Sequence, residues 1–243
     1  DAGGYGTPET VHASALQTFE QIGPSLTRSA DRALLERLRA WTEAEFSAVR
    51  AVLLQRHDAG RVREVHGDLH LGNIVCLDGV LVPFDCIEFN PELRWNDVMS
   101  EAAFLVMDLL DRGVPHLADL FLDGYLAHSG DYAGLAVLRF FVVYRALVRA
   151  KIHLMRSNQV VDDSAEHRRL VGEYRRYARL AASCTRRRKP FLLIMHGLAA
   201  SGKSTIAREL VQAFHAVRVR SDVERKRLAG LAADAASASP VGG

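Results

Sequence analysis

Leu35, Leu38, Thr42, Phe46, Val49 and Leu53 recur at intervals of three and four residues, which predicts a long amphipathic helix over about 30–57. The apolar run 62–65 predicts a short strand. Ile74-Val75-Cys76-Leu77 and Val80-Leu81-Val82 flank Asp78-Gly79, a pair that tolerates the positive φ angles of a type I′ turn, so a β-hairpin is expected there. Beyond it, Met99, Ala102, Ala103, Val106 and Leu110 share one helical face, with Asn96 as the expected N-cap of a helix through Asp111 and Gly113 as its stop. Pro115 opens the next helix, to about 128, and helical patterns continue over 132–156 and 163–183. The pattern changes at Arg186-Arg187-Arg188-Lys189-Pro190, a basic linker ending in a helix breaker. Phe191-Leu192-Leu193-Ile194-Met195 then reads as a strand, Ile206, Leu210, Val211 and Phe214 as one face of a helix, and 216–219 as a second strand.

These elements predict a mainly α lobe with a small β-hairpin over 1–185, a linker at 186–190, and the start of an α/β domain over 191–230. An Ala-, Ser- and Gly-rich tail over 231–243 is expected to be disordered. The 243 residues are 49% apolar, enough for a sizeable core, and the formal charge of +2 favours neither a nucleic-acid binder nor a membrane-surface protein. No apolar run approaches the roughly 18–20 residues of a spanning helix, and the Gly-rich start is no signal peptide, so a cytoplasmic protein is expected. Cys76, Cys86 and Cys184 lack metal-ligand spacing and are expected to be reduced thiols. The run from His167 to Lys189 holds nine Arg or Lys against Glu173, a pattern that fits a solvated helix face or a patch for phosphate, nucleic acid or another domain.

Two motifs carry chemistry. His66-Gly67-Asp68-Leu69-His70-Leu71-Gly72-Asn73 spells H-x-D-x-x-x-x-N, and Asp85 follows twelve residues after Asn73. Kinase-type phosphoryl transfer uses that order: Asp68 accepts the proton of the attacking hydroxyl, while Asn73 and Asp85 hold the Mg²⁺ that neutralises the ATP phosphates. The hairpin brings Asn73 and Asp85 to one end, where they can share an ion. His66 fits either an acid–base role or an architectural one, fixing the loop through its ring. The bland alternative is a tight turn capped by Asp68 and Asn73. Asp97 and Glu101 fit the start of a helix, where negative charge favours the dipole, or an anchoring contact.

The second motif, Gly197-Leu198-Ala199-Ala200-Ser201-Gly202-Lys203-Ser204-Thr205, is a full G-x-x-x-x-G-K-[ST] phosphate loop. Its backbone N–H groups, with Gly197, Ser201, Gly202 and Thr205, would cradle phosphates, Lys203 would reach the outer phosphates, and Ser204 would contact Mg²⁺. Either motif alone arises by chance in about one chain in a hundred of this length; the surrounding pattern favours function for both.

A complete kinase-like fold also has an upstream β-lobe with a Gly-rich loop and a phosphate-gripping Lys. No Lys precedes Lys151 here, which leads to the expectation that the chain is a fragment without its small lobe.

His66 to Asn73 resembles the catalytic loop of aminoglycoside phosphotransferases and related small-molecule kinases. Phe84-Asp85-Cys86-Ile87-Glu88-Phe89-Asn90-Pro91, with Arg94, Asp97 and the helix from Glu101, is similar to a bacterial two-domain family that fuses such a domain to a P-loop kinase-like ATPase domain. The resemblance implies an ATP- and Mg²⁺-dependent phosphotransferase acting on a small hydroxyl-bearing molecule, with Asp68 as base, Asn73 and Asp85 on Mg²⁺, and Asp97 bracing the loop. Cys86-Ile87-Glu88 after Asp85 departs from the antibiotic kinases, so the acceptor stays open. The alternative is a nucleotide-binding regulator or pseudokinase whose only ATPase site is the P-loop.

Overall fold

In chain order the computed structural model, which describes residues 3–187, 189–198 and 201–231, runs α1 (Pro8–Ile22), α2 (Ser29–Asp58), β1 (Val62–Glu64), β2 (Ile74–Leu77), β3 (Val80–Pro83) and α3 (Pro91–Arg94). It continues through β4 (Trp95–Asp97), α4 (Val98–Asp111), α5 (Pro115–Ser129), α6 (Leu135–Ser157), α7 (Ala165–Cys184), α8 (Lys203–Phe214) and α9 (Ser221–Leu228). The chain divides into two units, Asp1–Val114 with Ala133–Pro190, and Pro115–Tyr132 with Phe191–Gly243.

In the first unit, α6 is the hub, packing on α7, α4, α2 and α1. Its Phe140, Phe141, Val143, Ala146, Leu147 and Ala150 are buried, and α4 is buried almost all round from Met99 to Leu109, as a central helix must be. The expected face of α2 is the buried one, and it extends to Glu45 and Arg56. Helix α1 was not among the sequence expectations. Thr7 caps it by accepting from Thr10 N at 3.2 Å, Pro8 opens it, and Ala15, Phe19 and Ile22 bury one side.

The hairpin forms as expected, Ile74 opposite Pro83 and Leu77 opposite Val80, with Asp78 at φ 51° and Gly79 at φ 79°. The strand at Val62 finds a partner that local pattern did not reveal: it pairs antiparallel with β4, Val62 opposite Asp97. Helix α4 therefore starts later than expected, and its N-cap is Asp97 rather than Asn96, because Asn96 is held in the ladder while Asp97 Oδ1 accepts Met99 N–H at 2.8 Å.

The second unit packs α5 against α8. Asp123, 4% exposed, accepts from Arg218 side chain and backbone at 3.0 and 3.1 Å, and His215 Nδ1 lies 2.7 Å from Asp119 Oδ2. The strands expected at 191–195 and 216–219 are corrected by the structure: neither segment joins a ladder among the described residues, and a strand without a hydrogen-bonded neighbour is not stable. Leu192 and Ile194 stand 82% and 81% exposed. The tail expected to be disordered lies, from residue 232 onward, outside the described residues, as does Arg188 of the linker. Among the described residues no helix is long and apolar enough to cross a membrane.

Candidate functional site

The loop after β1 is held by polar groups projecting from the two central helices of the first unit. Glu101 Oε2 on α4 accepts Gly67 N–H at 3.2 Å, and one heptad on, Asp108 Oδ2 accepts Leu71 N–H at 2.9 Å. From α6, Arg145 donates to Gly67 O at 3.2 Å and to Ser100 Oγ at 3.2 Å, with its guanidinium 4.7 Å from the Phe104 ring. Gly67 has φ +84°, and a Cβ there would sit 2.8 Å from Leu93 O, so only glycine fits between the loop and the segment that crosses it.

Within this frame Asn73 is buried, and its Nδ2 donates to Asp68 O at 3.1 Å and Asp68 Oδ2 at 3.3 Å. That leaves Asn73 Oδ1 as an acceptor for other partners. His70 Nδ1 accepts Gly72 N–H at 3.0 Å, so the ring proton is on Nε2, which faces Asp68 Oδ2 at 3.4 Å. Burial pushes the Asp68 carboxyl up, but the hydrogen bond and charge of His70, with the charges of Arg149 and Arg145, outweigh it and hold the group below the ordinary carboxylate range. Asp68 is therefore an ionised acceptor at neutral pH. Glu101 goes the other way, its burial outweighing Arg145 and the Gly67 N–H.

Asp85 arrives through the hairpin. Phe84 N–H donates to Asn73 O at 3.0 Å, one position past the last strand pair, so Asp85 follows the residue opposite Asn73. His66 fixes this segment twice: its Nε2 donates to Phe84 O at 2.8 Å and its carbonyl accepts Ile87 N–H at 3.0 Å. Asp85 itself is exposed and adopts φ 60°, a left-handed conformation that costs a non-glycine residue about 1–2 kcal/mol. Glu88 is exposed beyond it. Asn73 and Asp85 offer hard oxygen donors of the kind Mg²⁺ takes in pairs alongside phosphate oxygens and water.

Asp97 pairs with Arg56 and caps α4 through Met99 N–H. Sequence reasoning missed Arg56, Asp108, Arg145 and Arg149. Their one visible signal is a charge on a helical face that is otherwise apolar.

In the second unit, Gly197 adopts φ 147° and Gly202 φ 82°, and α8 begins at Lys203. A Cβ on Gly197 would come within 3.2 Å of Ser201 Oγ, filling the hollow of the loop. Lys203 Nζ donates to Gly197 O at 2.7 Å and to Leu198 O, with Ser201 Oγ at 3.5 Å. The N–H groups of the first helical turn, Ser204 and Thr205 among them, sit at the helix's positive end; Thr205 N–H also reaches back to Gly202 O at 3.0 Å. Glycines, lysine and hydroxyls thus fit a phosphate chain. Ala199 and Ala200 lie outside the described residues.

Residues 192–241, which include the G-x-x-x-x-G-K-[ST] motif, match the family model of an AAA domain. An uncharacterized protein of Mycobacterium bovis and two from strains of Mycobacterium tuberculosis are each 35% identical to the chain over 193 residues. The alignments cover 76% of this chain and 36% of each relative, so the chain spans about a third of the length of the curated relatives it matches. No solved structure matches it.

Proposed function

We propose that the first unit is the large lobe of an aminoglycoside-phosphotransferase-like kinase and that the full-length protein transfers the γ-phosphoryl group of ATP to a small hydroxyl-bearing molecule. The supporting observation is the joint placement of Asp68, Asn73 and Asp85: one amide ties Asn73 to Asp68, and the hairpin returns Asp85 beside Asn73. Asp68, held ionised, takes the proton as the acceptor oxygen bonds to phosphorus and ADP leaves. Asn73 Oδ1 and Asp85 are the ligands for Mg²⁺, which supplies charge neutralisation at the phosphates when bound. His66 positions Asp85 by holding Phe84. Domain limits of 1–185, 186–190 and 191–230 follow from this reading, with the P-loop as a second ATP site in which Lys203 grips the outer phosphates and Ser204 holds a second Mg²⁺. A cytoplasmic location suits both substrates.

The second reading is a regulator in which only the P-loop consumes ATP; the family match on that segment favours it. Comparing Asp68→Ala with Lys203→Ala in the full-length protein separates the two. Under the kinase reading, Asp68→Ala lowers acceptor phosphorylation by about 10²–10⁴-fold while circular dichroism is unchanged. Loss of ATP consumption only in Lys203→Ala would sink that reading in favour of the regulator.

A further inference from the structure

Helix α5 lies in sequence between α4 and α6 of the first unit, yet it belongs to the second, and the segment that matches the family model starts only at residue 192. Its attachment is polar and periodic. Asp119 Oδ2 lies 2.7 Å from Nδ1 of His215, the C-cap of α8; one turn on, Asp123 accepts from Arg218; a further turn on, Ala127 O accepts from Arg227 of α9. Steps of four residues put all three contacts on one stripe of α5.

Arg218 is the centre of that stripe. Its backbone N–H donates to Asp123 Oδ1 at 3.1 Å, its Nη2 to Asp123 Oδ2 at 3.0 Å, and its carbonyl accepts the Tyr132 hydroxyl at 3.4 Å. Residues 216–219 join no ladder among the described residues, so groups from α5 and Tyr132 meet the Arg218 backbone where a strand neighbour would. The other terminal nitrogen, Nη1, donates to Ser204 O at 3.4 Å, in the first turn of α8. Asp123 is buried, and both its oxygens are taken by this one residue, which limits the guanidinium to an orientation that reaches Ser204.

We propose that Asp123 is a positioning residue of the P-loop site: it fixes Arg218, and Arg218 fixes the turn that presents the Ser204 hydroxyl to the Mg²⁺ of a bound nucleoside di- or triphosphate. Helix α5 is then a working part of the P-loop unit, although α6 and α7 separate the two in sequence. The inference rests on the reading of 197–205 as a Mg²⁺-nucleotide site and uses no residue of the Asp68 site. A group that orients a metal ligand without touching the metal acts on affinity through that metal, and its loss costs about 10–100-fold. Loss of Asp123 is therefore felt in the affinity that Mg²⁺ adds. The metal-free nucleotide, held by loop N–H groups and Lys203, is little affected.

The experiment is calorimetric titration of the full-length protein with ADP, once with Mg²⁺ and once with EDTA, in an Asp85→Ala background that takes metal-bound nucleotide away from the first site. The readout is the ratio of the two affinities. In Asp123→Asn and in Arg218→Lys this Mg²⁺ gain should fall about tenfold, with the EDTA affinity within about twofold of the parent. Arg218→Lys leaves Asp123 a cation, so the variant keeps its fold even where Asp123→Asn does not, but its single nitrogen cannot bridge Asp123 and Ser204. Asp119→Asn, which loosens α5 at the opposite end of α8, should keep the parent gain. A parent-like gain in Arg218→Lys, an equal fall in Asp119→Asn, or a fall of the same size with EDTA overturns the inference. If the parent shows no ADP binding that Lys203→Ala abolishes, the P-loop reading itself fails and the inference goes with it.

Discussion

Arg56 and Asp97 lie 41 residues apart and meet in a two-point ion pair, Nε to Oδ2 at 2.7 Å and Nη2 to Oδ1 at 2.8 Å, with side chains 4% and 3% exposed. The same carboxylate caps α4 through Met99 N–H, so one side chain joins the end of α2, the β1–β4 ladder and the helix that holds the loop after β1.

Removing one partner strands the other's charge in the core. Arg56→Ala should destabilise the first unit by about 3–5 kcal/mol. The check is the urea midpoint of the unit's unfolding transition, where a loss under about 1 kcal/mol would mean that water reaches the pair.

Gly67→Ala should lower the melting point and disorder the loop. The left-handed backbone alone costs about 1–2 kcal/mol, and the Leu93 carbonyl that the new Cβ would meet is backbone and yields little. Gly67→Ala crystals or amide shifts showing an unmoved loop would refute the steric argument.

Burial raises the Glu101 carboxyl above its ordinary value of 4.5, despite Arg145 and the Gly67 N–H. The folded protein thus binds a proton here more tightly than the unfolded chain. This favours folding below the unfolded value and is lost as pH rises through the folded one. Glu101→Gln keeps an acceptor for Gly67 and carries no charge. Its stability relative to the parent should improve from pH 4.5 upward, measured by denaturation at a series of pH values; a relative decline over that window contradicts the burial account.

His70→Ala removes the largest of the influences that hold Asp68 down, while leaving the burial that pushes it up. The Asp68 carboxyl should rise, and under the kinase reading the acid limb of phosphotransfer by the full-length protein should move to higher pH. His70→Gln, which keeps a donor, should move it less. An unchanged acid limb in His70→Ala would remove His70 from the site's electrostatics.

Much of the architecture could be read from periodicity. The faces of α2, α4 and α6 obey a repeat that any amphipathic helix must follow, and Asp78-Gly79 announces its own turn through backbone sterics. The β1–β4 ladder could not be read, because strands of three residues carry too little pattern and pair across more than 30 positions. The runs 191–195 and 216–219 misled for the opposite reason: apolar, β-prone composition is a statement about a single segment, while a strand exists only with a neighbour to hydrogen-bond.

Of the candidate site, Asp68, Asn73 and Asp85 were legible because spacing along a loop and a hairpin fixes which residues come back together. Glu101, Asp108 and Arg145 were not, since their role depends on which face of α4 and α6 meets the loop. The sequence by itself determined the local devices: the H-x-D-x-x-x-x-N loop, the G-x-x-x-x-G-K-[ST] motif, a turn and the helical stripes, all set by interactions within a few residues. The tertiary structure decided which buried charges find each other, as Arg56 finds Asp97 and Glu101 finds the Gly67 N–H. Only packing brings distant groups out of water into reach of a single partner.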